Sequence, residues 1–285
     1  MSLNTNYTIN TGGTLLNLAT PRVMGIMNIT PDSFYNDSRA QTEGDIAARA
    51  RQLADEGADI IDVGAYSSRP GADDISPKEE MERLRRALAV ICRELPDAIV
   101  SVDTFRADVA KMCVEEYGAN IINDISGGEL DAQMFATIAA LRVPYIMMHM
   151  HGTPRTMQAN PHYDDLMEDI VLYFSERINR LHDMGVCDII IDPGFGFAKT
   201  LEHNYQLMAH LEELHELGKP LLAGISRKSM IYKLLGTTAA DALNGTTALN
   251  TLALAKGARI LRVHDVKACV EVVKIYCEYQ KHLFP

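Results

Sequence analysis

The sequence has no continuous apolar run approaching the ~18 residues of a membrane-spanning helix, and it does not begin with a signal-peptide pattern. Cysteine is scarce: five are present, with no CxxC pair and no spacing typical of a metal site. Most of them fall in segments with a helical pattern, where a small buried thiol is the expected role. These absences argue against a membrane protein and a cysteine-based metal site, and they favour a cytoplasmic protein with reduced thiols.

Positive charge is in deficit. Lysine and arginine number 27 against 38 aspartates and glutamates, which gives a formal net charge of −11. Nucleic-acid binding needs a basic face that displaces phosphate counterions, so we expect no nucleic-acid partner. An anionic small molecule would need a local cluster of cationic side chains to overcome the overall negative field.

The 285 residues, 47% of them hydrophobic, can form a sizeable core. No linker rich in proline, glycine or serine divides them, so we expect one domain over residues 1–285, with about 1–20 as a loose N-terminal arm. Eight short apolar runs, rich in β-branched residues and without polar alternation, are typical of strands covered on both faces. The predicted strands are 23–27, 60–63, 98–102, 120–122, 144–148, 189–191, 221–225 and 259–263.

Helix-period segments separate these runs, and a glycine follows several of them at the position typical of a left-handed helix C-cap. No GxGxxG follows the first strand, which argues against a doubly wound sheet. Strict alternation of eight strand–helix units instead predicts an α/β fold, a single (β/α)8 TIM barrel, which typically takes ~250 residues.

The site of such a barrel lies at the C-terminal ends of its strands and in the loops that follow. Polar side chains at these ends would be costly to bury in one mouth unless they pair with one another or with a ligand. Five such ends carry Asn28, Asp103, Asn123, Asp192 and Lys228. This ring of donors and acceptors indicates a site for a flat polar heterocycle, whereas Thr104, Asp124 and Asp265 are expected to cap helices or support the site.

A cationic cluster adjoins this ring. Arg69 follows the second predicted strand, Arg262 and His264 end the eighth, and the first strand lies between them in a closed barrel. With Ser68 and Asn28 they would form a phosphate-shaped pocket, because guanidinium groups bind phosphate in a bidentate manner. Ordinary surface ion pairs are the alternative for each arginine.

Two loops carry further signals. The serine-rich run 226–229 precedes a helical segment, so its amides could receive a carboxylate, although Ser229 could equally be a plain N-cap. In the sixth strand's loop, Gly194 and Gly196 let the backbone approach a ligand, and Phe197 could cover a flat ring.

Two other features are ambiguous. His149 and His151 share a strand face, but hydrolases that use such a pair carry it on the first strand, so we do not expect a transition-metal site. Segment 31–42 is polar and shows neither a helical nor a strand-like spacing of apolar residues. It is a candidate lid after the first strand.

Together the motifs resemble the dihydropteroate synthase family from about residue 23 to residue 266. The segments that carry the resemblance are 25–34, 67–71, 102–104, 123–125, 192–197, 224–229 and 262–266. The resemblance implies that p-aminobenzoate displaces pyrophosphate from 7,8-dihydropterin-6-ylmethyl diphosphate, giving dihydropteroate in folate biosynthesis at a site that sulfonamides target. It also implies Mg²⁺ on the diphosphate, coordinated by Asn28, and a homodimer formed through outer helices. Segment 241–255 would suit that interface, although a core role explains it equally well.

The resemblance also assigns roles to single residues. The pterin would be bound by Asp103, Asn123, Asp192, Phe197 and Lys228. The diphosphate would be bound by Asn28, Ser68, Arg69, Arg262 and His264. The p-aminobenzoate would be framed by Phe34, Pro70, Lys228 and Ser229. The residues expected to be catalytic are Asn28, Arg69, Asp103, Lys228, Arg262 and His264.

Three other readings compete with the synthase. A pterin-binding methyltransferase using methyltetrahydrofolate would share the pterin contacts but not the phosphate pocket or the 226–229 run. A metal-dependent hydrolase requires the histidine pair on the first strand, which is absent. An inactive binding barrel would be expected to have lost one of four residues that are all present: Asn28, Arg69, Lys228 or Arg262. Ser68 stands where the family usually has threonine, which keeps the hydroxyl.

Overall fold

The computed structural model describes residues 7–29, 42–67, 74–153 and 161–283. Its strands are β1 (Thr8–Thr11), β2 (Thr14–Asn17), β3 (Arg22–Asn28), β4 (Ile60–Gly64), β5 (Ile99–Asp103), β6 (Ile121–Asp124), β7 (Tyr145–Met148), β8 (Ile189–Asp192), β9 (Leu222–Ala223) and β10 (Ile260–Val263). Its helices are α1 (Glu43–Asp55), α2 (Pro77–Glu94), α3 (Ala107–Tyr117), α4 (Met134–Leu141), α5 (Leu166–Asp183), α6 (Leu201–Ala209), α7 (Ser229–Leu235), α8 (Leu243–Ala255) and α9 (Val266–Lys281), with a 3₁₀ helix over Leu211–Leu217. No helix in these ranges is long and apolar enough to cross a membrane.

Strands β3 to β10 form a barrel of parallel strands in chain order. Each strand pairs with the next one, and β10 returns to pair with β3. A single bridge between Ile191 and Leu221 joins β8 to β9. This arrangement confirms the predicted (β/α)8 fold and all eight predicted strands. Strand β9 is shorter than predicted and ends at Ala223, and the next residue, Gly224, lies beside the carboxylate of Asp192.

Alternation along the strands builds the barrel interior in layers, since successive side chains point to opposite faces. The lower layer is apolar and contains Met24, Ile60, Ile121, Ile146, Ile190, Leu222 and Ile260. Two residues further along their strands, the next layer is polar and contains Asp62, Asn123, Asp192 and Arg262. The apolar residues facing outward pack against the surrounding helices in a larger core. The same backbone period thus gives the barrel a dry base and a polar mouth.

Local capping fixes where the helices begin. Ser76 caps α2 by accepting a hydrogen bond from the Glu79 amide at 3.2 Å, and Pro77 occupies the first turn, where its missing N–H costs nothing. The predicted helix over 241–255 is present as α8. Gly245 lets α7 pack closely against it, because a Cβ there would lie 2.3 Å from Ile231 Cγ2.

Residues Thr8–Asn17, which fall within the predicted N-terminal arm over about 1–20, are not loose. These residues form an antiparallel hairpin whose turn uses Gly12 and Gly13, both with positive φ. Ile9 and Leu18 are buried against the lower layer of the barrel. The hairpin therefore closes the N-terminal end of the barrel, and its apolar pattern is too short to be distinguished from a disordered arm by periodicity.

The role of the hairpin can be tested with two leucines. Leu18→Ala should lower the free energy of unfolding by about 2–5 kcal/mol, because it leaves a cavity at a fully buried site. Leu15→Ala, at a position that is 67% exposed in the same hairpin, should change it by less than about 0.5 kcal/mol. Urea denaturation followed by circular dichroism measures both, and equal effects would contradict the closure described here.

Candidate active site

The strand ends bring most of the predicted site residues to one mouth. Those within the described ranges are Asn28, Asp103, Asn123, Asp192, Phe197, Lys228, Ser229, Arg262 and His264. The remaining ones lie outside the described residues and are Phe34, Ser68, Arg69 and Pro70. The candidate lid over 31–42 also lies outside them, apart from Thr42, which caps α1.

Arg262 is the centre of a buried charge network. Its Nε donates to Asp62 Oδ2 at 2.6 Å, and its Nη2 donates to Asp103 Oδ2 at 2.7 Å. Asn123 Nδ2 donates to the same Asp62 oxygen at 3.1 Å. Burial opposes the charge of the guanidinium, but the carboxylates of Asp62 and Asp103 outweigh it and raise the pKa of Arg262. The guanidinium of Arg262 thus binds two carboxylates in this structure. The sequence predicts a phosphate contact for it but not these two partners.

Asp62 belongs to this site, although the strand-end rule, by which barrel sites lie at the C-terminal ends of the strands, does not find it. Its side chain is fully buried in the middle of β4. The available signal is a carboxylate inside the otherwise apolar run 60–63, since a buried charge is almost always paired.

Asp103 has an unusual charge state. Burial raises the pKa of this carboxyl to about 7, Arg262 opposes the shift, and the nearby carboxylates of Asp62 and Glu80 add to it. Gly64 on the neighbouring strand makes room for the side chain, because a Cβ there would lie 3.2 Å from Asp103 Cβ. Asp103 can therefore exist as a hydrogen-bond donor or as an acceptor close to neutral pH.

Asp192 and Lys228 form the opposite side of the mouth. Asp192 Oδ1 accepts from the Gly194 amide at 2.8 Å, and burial raises the pKa of its carboxyl while the charge of Lys228 lowers it. Lys228 donates to the Phe195 carbonyl and lies 4.5 Å from the ring centroid of Phe197. Burial lowers the pKa of Lys228 to about 8, against the opposing effect of Asp192.

The loop after β9 is held by its own ion pair. Arg227, with φ of 55°, contacts both Asp265 oxygens at 2.8 Å. Ser226 Oγ lies 3.0 Å from His264 Nδ1. Helix α7 begins at Ser229, and Lys228 occupies the N-cap position without a side-chain cap bond. Ser229 is therefore not a plain N-cap, and its amide and hydroxyl stand in the first turn of the helix.

The residues expected to cap or support do support the loops around the mouth. Asp124 accepts from the Ser126 amide at 2.7 Å and from Tyr145 Oη at 2.6 Å. Thr104 Oγ1 donates to the buried Glu80 at 2.7 Å. With Asp265 bound to Arg227, all three predictions of a supporting role are confirmed.

An apolar cluster completes the mouth. Ile125, Met148, Met150 and Ala198 are buried together, with the rings of Phe105 and Phe197 packed against them. A flat molecule could stack on this apolar wall while its edge meets the carboxylates, the amide of Asn123 and the ammonium of Lys228. Strand-end reasoning finds the polar part of this arrangement but not the wall.

Metal-binding capacity at the mouth is limited. Within the described ranges, no group of three histidine, cysteine, aspartate or glutamate side chains could hold a metal ion. Asn28 is half-buried at the end of β3 and offers one amide oxygen. Because Mg²⁺ often takes one or two protein oxygens and completes its shell with substrate phosphates and water, this donor set fits an ion that arrives with a diphosphate.

Comparisons with known proteins agree with this geometry. Residues 24–264 match the family model described as pterin binding enzyme. Dihydropteroate synthase of Escherichia coli strain K12 is 42% identical over 269 residues, covering 92% of this chain and 93% of that protein. The structure of Yersinia pestis dihydropteroate synthase with a sulfonamide drug matches with a TM-score of 0.90 at 39% identity, covering 96% of this chain and 100% of that one. The Xanthomonas albilineans enzyme with 4-aminobenzoic acid has a TM-score of 0.88 at 39% identity, covering 99% and 100%.

The pKa of Asp103 gives a testable dependence of stability on pH. The folded pKa of about 7 exceeds the ordinary 3.8, so between these values the folded state binds more protons than the unfolded one. The contribution of Asp103 to the free energy of unfolding is therefore full at low pH and falls as pH rises toward 7, by at most ~1.4 kcal/mol per pH unit.

Asp103→Asn should remove this fall. Urea denaturation of the parent and the variant at matched pH values between about 4 and 8 measures the difference between their free energies of unfolding. That difference should shift against the parent as pH rises. Parallel pH curves for the two proteins would show that Asp103 has an ordinary pKa.

Proposed function

The chain belongs to the pterin binding enzyme family, and from this membership we infer that it catalyses the dihydropteroate synthase reaction. The C–O bond between the pterin methylene and the diphosphate breaks, and a C–N bond to p-aminobenzoate forms. The amine loses a proton, and pyrophosphate and 7,8-dihydropteroate leave. The observation that carries this function is the mouth itself, where Arg262, Asp62, Asp103 and Asn123 form one network beside Asp192 and Lys228.

The pterin edge is assigned to Asp103, Asn123, Asp192 and Lys228. A pterin presents alternating donors and acceptors, and these side chains supply carboxylate oxygens, an amide and an ammonium. Asp103 can complement either kind of group because its pKa lies near 7. The ring of Phe197, already in contact with Lys228, would cover one face of the heterocycle.

The diphosphate is assigned to the neighbouring strand ends. Asn28 ends β3 and His264 follows β10, which pairs with β3, and Arg262 on β10 carries a positive charge held by Asp62 and Asp103. Ser68 and Arg69 are assigned to the same pocket. Mg²⁺ would be held here by Asn28 together with the phosphate oxygens, where it supplies charge neutralisation for the leaving group.

The second substrate is assigned to the loop before α7. Ser229 opens that helix, and its amide and hydroxyl can donate hydrogen bonds to the carboxylate of p-aminobenzoate. Lys228, Phe34 and Pro70 would frame the ring. The Xanthomonas albilineans relative was solved with 4-aminobenzoic acid and the Yersinia pestis relative with a sulfonamide, which supports p-aminobenzoate as the substrate and sulfonamides as inhibitors here.

The chemistry requires little acid–base catalysis. An arylamine is neutral at pH 7 and can attack without a strong base, so the protein must neutralise the departing diphosphate and orient the two substrates. Because Arg262 and Lys228 already face the carboxylates of Asp62, Asp103 and Asp192, this neutralisation is assigned to Arg69, His264 and Mg²⁺ as well.

The deciding experiment is to incubate the purified protein with 7,8-dihydropterin-6-ylmethyl diphosphate, p-aminobenzoate and Mg²⁺. Pyrophosphate and dihydropteroate should appear in equal amounts. If folded protein gives neither product and binds methyltetrahydrofolate instead, the methyltransferase reading is the correct one. Omission of Mg²⁺ tests the assignment of the ion in the same assay.

Two variants test the assignment of Lys228. Lys228→Ala removes the ammonium that faces Asp192 and the Phe197 ring, so turnover should fall below detection. His151→Ala removes an exposed side chain of the pair His149 and His151, for which no transition-metal site is expected, and should leave turnover within about tenfold of the parent. Steady-state assays of pyrophosphate release measure both, and comparable activity in the two variants would contradict the assignment.

We also propose a homodimer formed through α7 and α8. Two leucines on α7 and two on α8 are exposed, and an interface between copies of the chain would cover such apolar side chains. These leucines are Leu234, Leu235, Leu243 and Leu252.

The five cysteines are free thiols, two of them exposed, which is typical of a reducing compartment and supports a cytoplasmic location.

The interface can be tested by introducing charge. Leu234→Glu combined with Leu252→Glu should convert the dimer into a monomer, because burying two carboxylates against apolar surface is costly. Leu172→Glu, at a position on α5 that is 53% exposed, is the matched control and should remain dimeric. Light scattering after gel filtration gives the masses. A monomeric parent protein would overturn the proposal.

A further inference from the structure

Lys199 is a buried cation for which neither the resemblance nor the strand-end rule provides a role. It lies in the loop between β8 and α6 and is only 3% exposed. Within the described parts of the chain, no carboxylate lies at ion-pair distance from its ammonium. Its three contacts are neutral: His149 Nδ1 at 3.0 Å, the Gly194 carbonyl at 3.2 Å and the Phe197 carbonyl at 3.2 Å. Burial of a charge on neutral partners is costly, so a structural or functional role is needed to explain why this lysine is buried.

The partner histidine is suited to this contact. His149 is fully buried, and burial together with the charge of Lys199 lowers the pKa of the imidazole well below its ordinary value. The ring is therefore neutral, and where Lys199 donates as an ammonium, His149 Nδ1 must accept. The proton then lies on Nε2, which is buried and has no hydrogen-bond partner among the described residues. The ring of Tyr173 packs edge-on against the imidazole at a centroid distance of 4.8 Å.

The loop that Lys199 binds has an unusual backbone. Gly194, Gly196 and Ala198 have φ values of 71°, 79° and 49°, so every second residue is left-handed. Ala198 is not a glycine, and an L-residue in this region costs about 1 kcal/mol or more unless its surroundings hold it. Lys199 provides part of that hold by drawing the carbonyls of Gly194 and Phe197 toward one ammonium.

The same loop carries the contacts that orient the pterin site. The Gly194 amide binds Asp192, and the Phe195 carbonyl accepts from Lys228. A Cβ at Gly196 would lie 3.1 Å from Lys228 Cδ, so the lysine stem passes directly over the loop. The two peptides that Lys199 fixes thus adjoin the groups that set the positions of Asp192 and Lys228.

We propose that Lys199 is a positioning residue for the pterin pocket: by clamping the 194–197 loop onto the neutral His149, it places Asp192 and Lys228 to bind the pterin edge. This inference rests on the proposed function. Burial on these neutral partners lowers the pKa of Lys199 to about 7, and the charge of Asp192 opposes that shift. In its ammonium form Lys199 in turn favours the ionised form of Asp192.

The test uses Lys199→Met, which keeps the length of the side chain and removes its charge and its three donated bonds. The affinity for 7,8-dihydropterin-6-ylmethanol, the substrate without its diphosphate, is measured by calorimetry. It should weaken by about 10–100-fold, as for other residues that orient a binding group. The KM for the pterin diphosphate should rise in parallel and by a larger factor than the KM for p-aminobenzoate, because Asp192 and Lys228 both serve the pterin and only Lys228 serves p-aminobenzoate. Lys199→Arg should recover part of the pterin affinity.

Lys219→Met is the matched control. Lys219 Nζ also contacts a histidine nitrogen, His182 Nε2 at 2.7 Å, but this contact is exposed. His182 lies in the last turn of α5, before β8, and Lys219 precedes β9, so both lie at the end of the barrel opposite the mouth. Loss of this contact should leave pterin affinity within about twofold of the parent. Pterin affinity of Lys199→Met equal to that of this control would overturn the proposal, as would equal losses for both substrates.

If Lys199→Met does not fold, His149 provides a second route. His149→Leu removes the acceptor and should weaken pterin binding, whereas His149→Gln retains an acceptor and should weaken it less. Equal pterin affinity for these two variants would contradict the proposal. A parent protein that forms no dihydropteroate and binds no pterin would instead overturn the proposed function, so the two failures are distinguishable.

Discussion

The guanidinium of Arg262 lies between the carboxylates of Asp62 and Asp103, and Asn123 joins the group through Asp62. Without this cation, two acidic groups would be buried in one barrel with nothing to balance them, and removal of one partner of a buried ion pair typically costs about 3–5 kcal/mol. The network spans β4, β5, β6 and β10, so it ties opposite sides of the barrel together. It also sets the electrostatic environment in which Asp103 titrates and in which Asp192 and Lys228 face each other.

Much of the fold could be predicted because a parallel barrel leaves a strong mark on its sequence. Strands covered on both faces must be apolar, and all eight such runs are strands of the barrel. The prediction is weakest where only one or two consecutive residues of a segment are buried. Strand β9 has two residues, and the N-terminal hairpin buries mainly Ile9 and Leu18 among threonines and asparagines. Patterns this short do not differ from those of a loop, so only tertiary packing reveals them.

The site divides in the same way. The rule that barrel sites lie at strand ends correctly finds the mouth residues Asp103, Asn123 and Asp192. It does not find Asp62, which lies in the middle of a strand, or Lys199, whose position after a glycine-rich loop says nothing about its burial. The partners of Arg262 are equally invisible in one sequence, because they depend on which side chains face each other across the closed barrel.

The hairpin and the apolar layer beneath the site determine by which route substrates can enter the barrel and products can leave it. With the N-terminal end packed and covered, both substrates and both products pass through the mouth. Pyrophosphate must therefore leave by the passage through which the next pterin diphosphate arrives. Product inhibition and the timing of release are then consequences of the architecture, independent of how fast the bond to nitrogen forms.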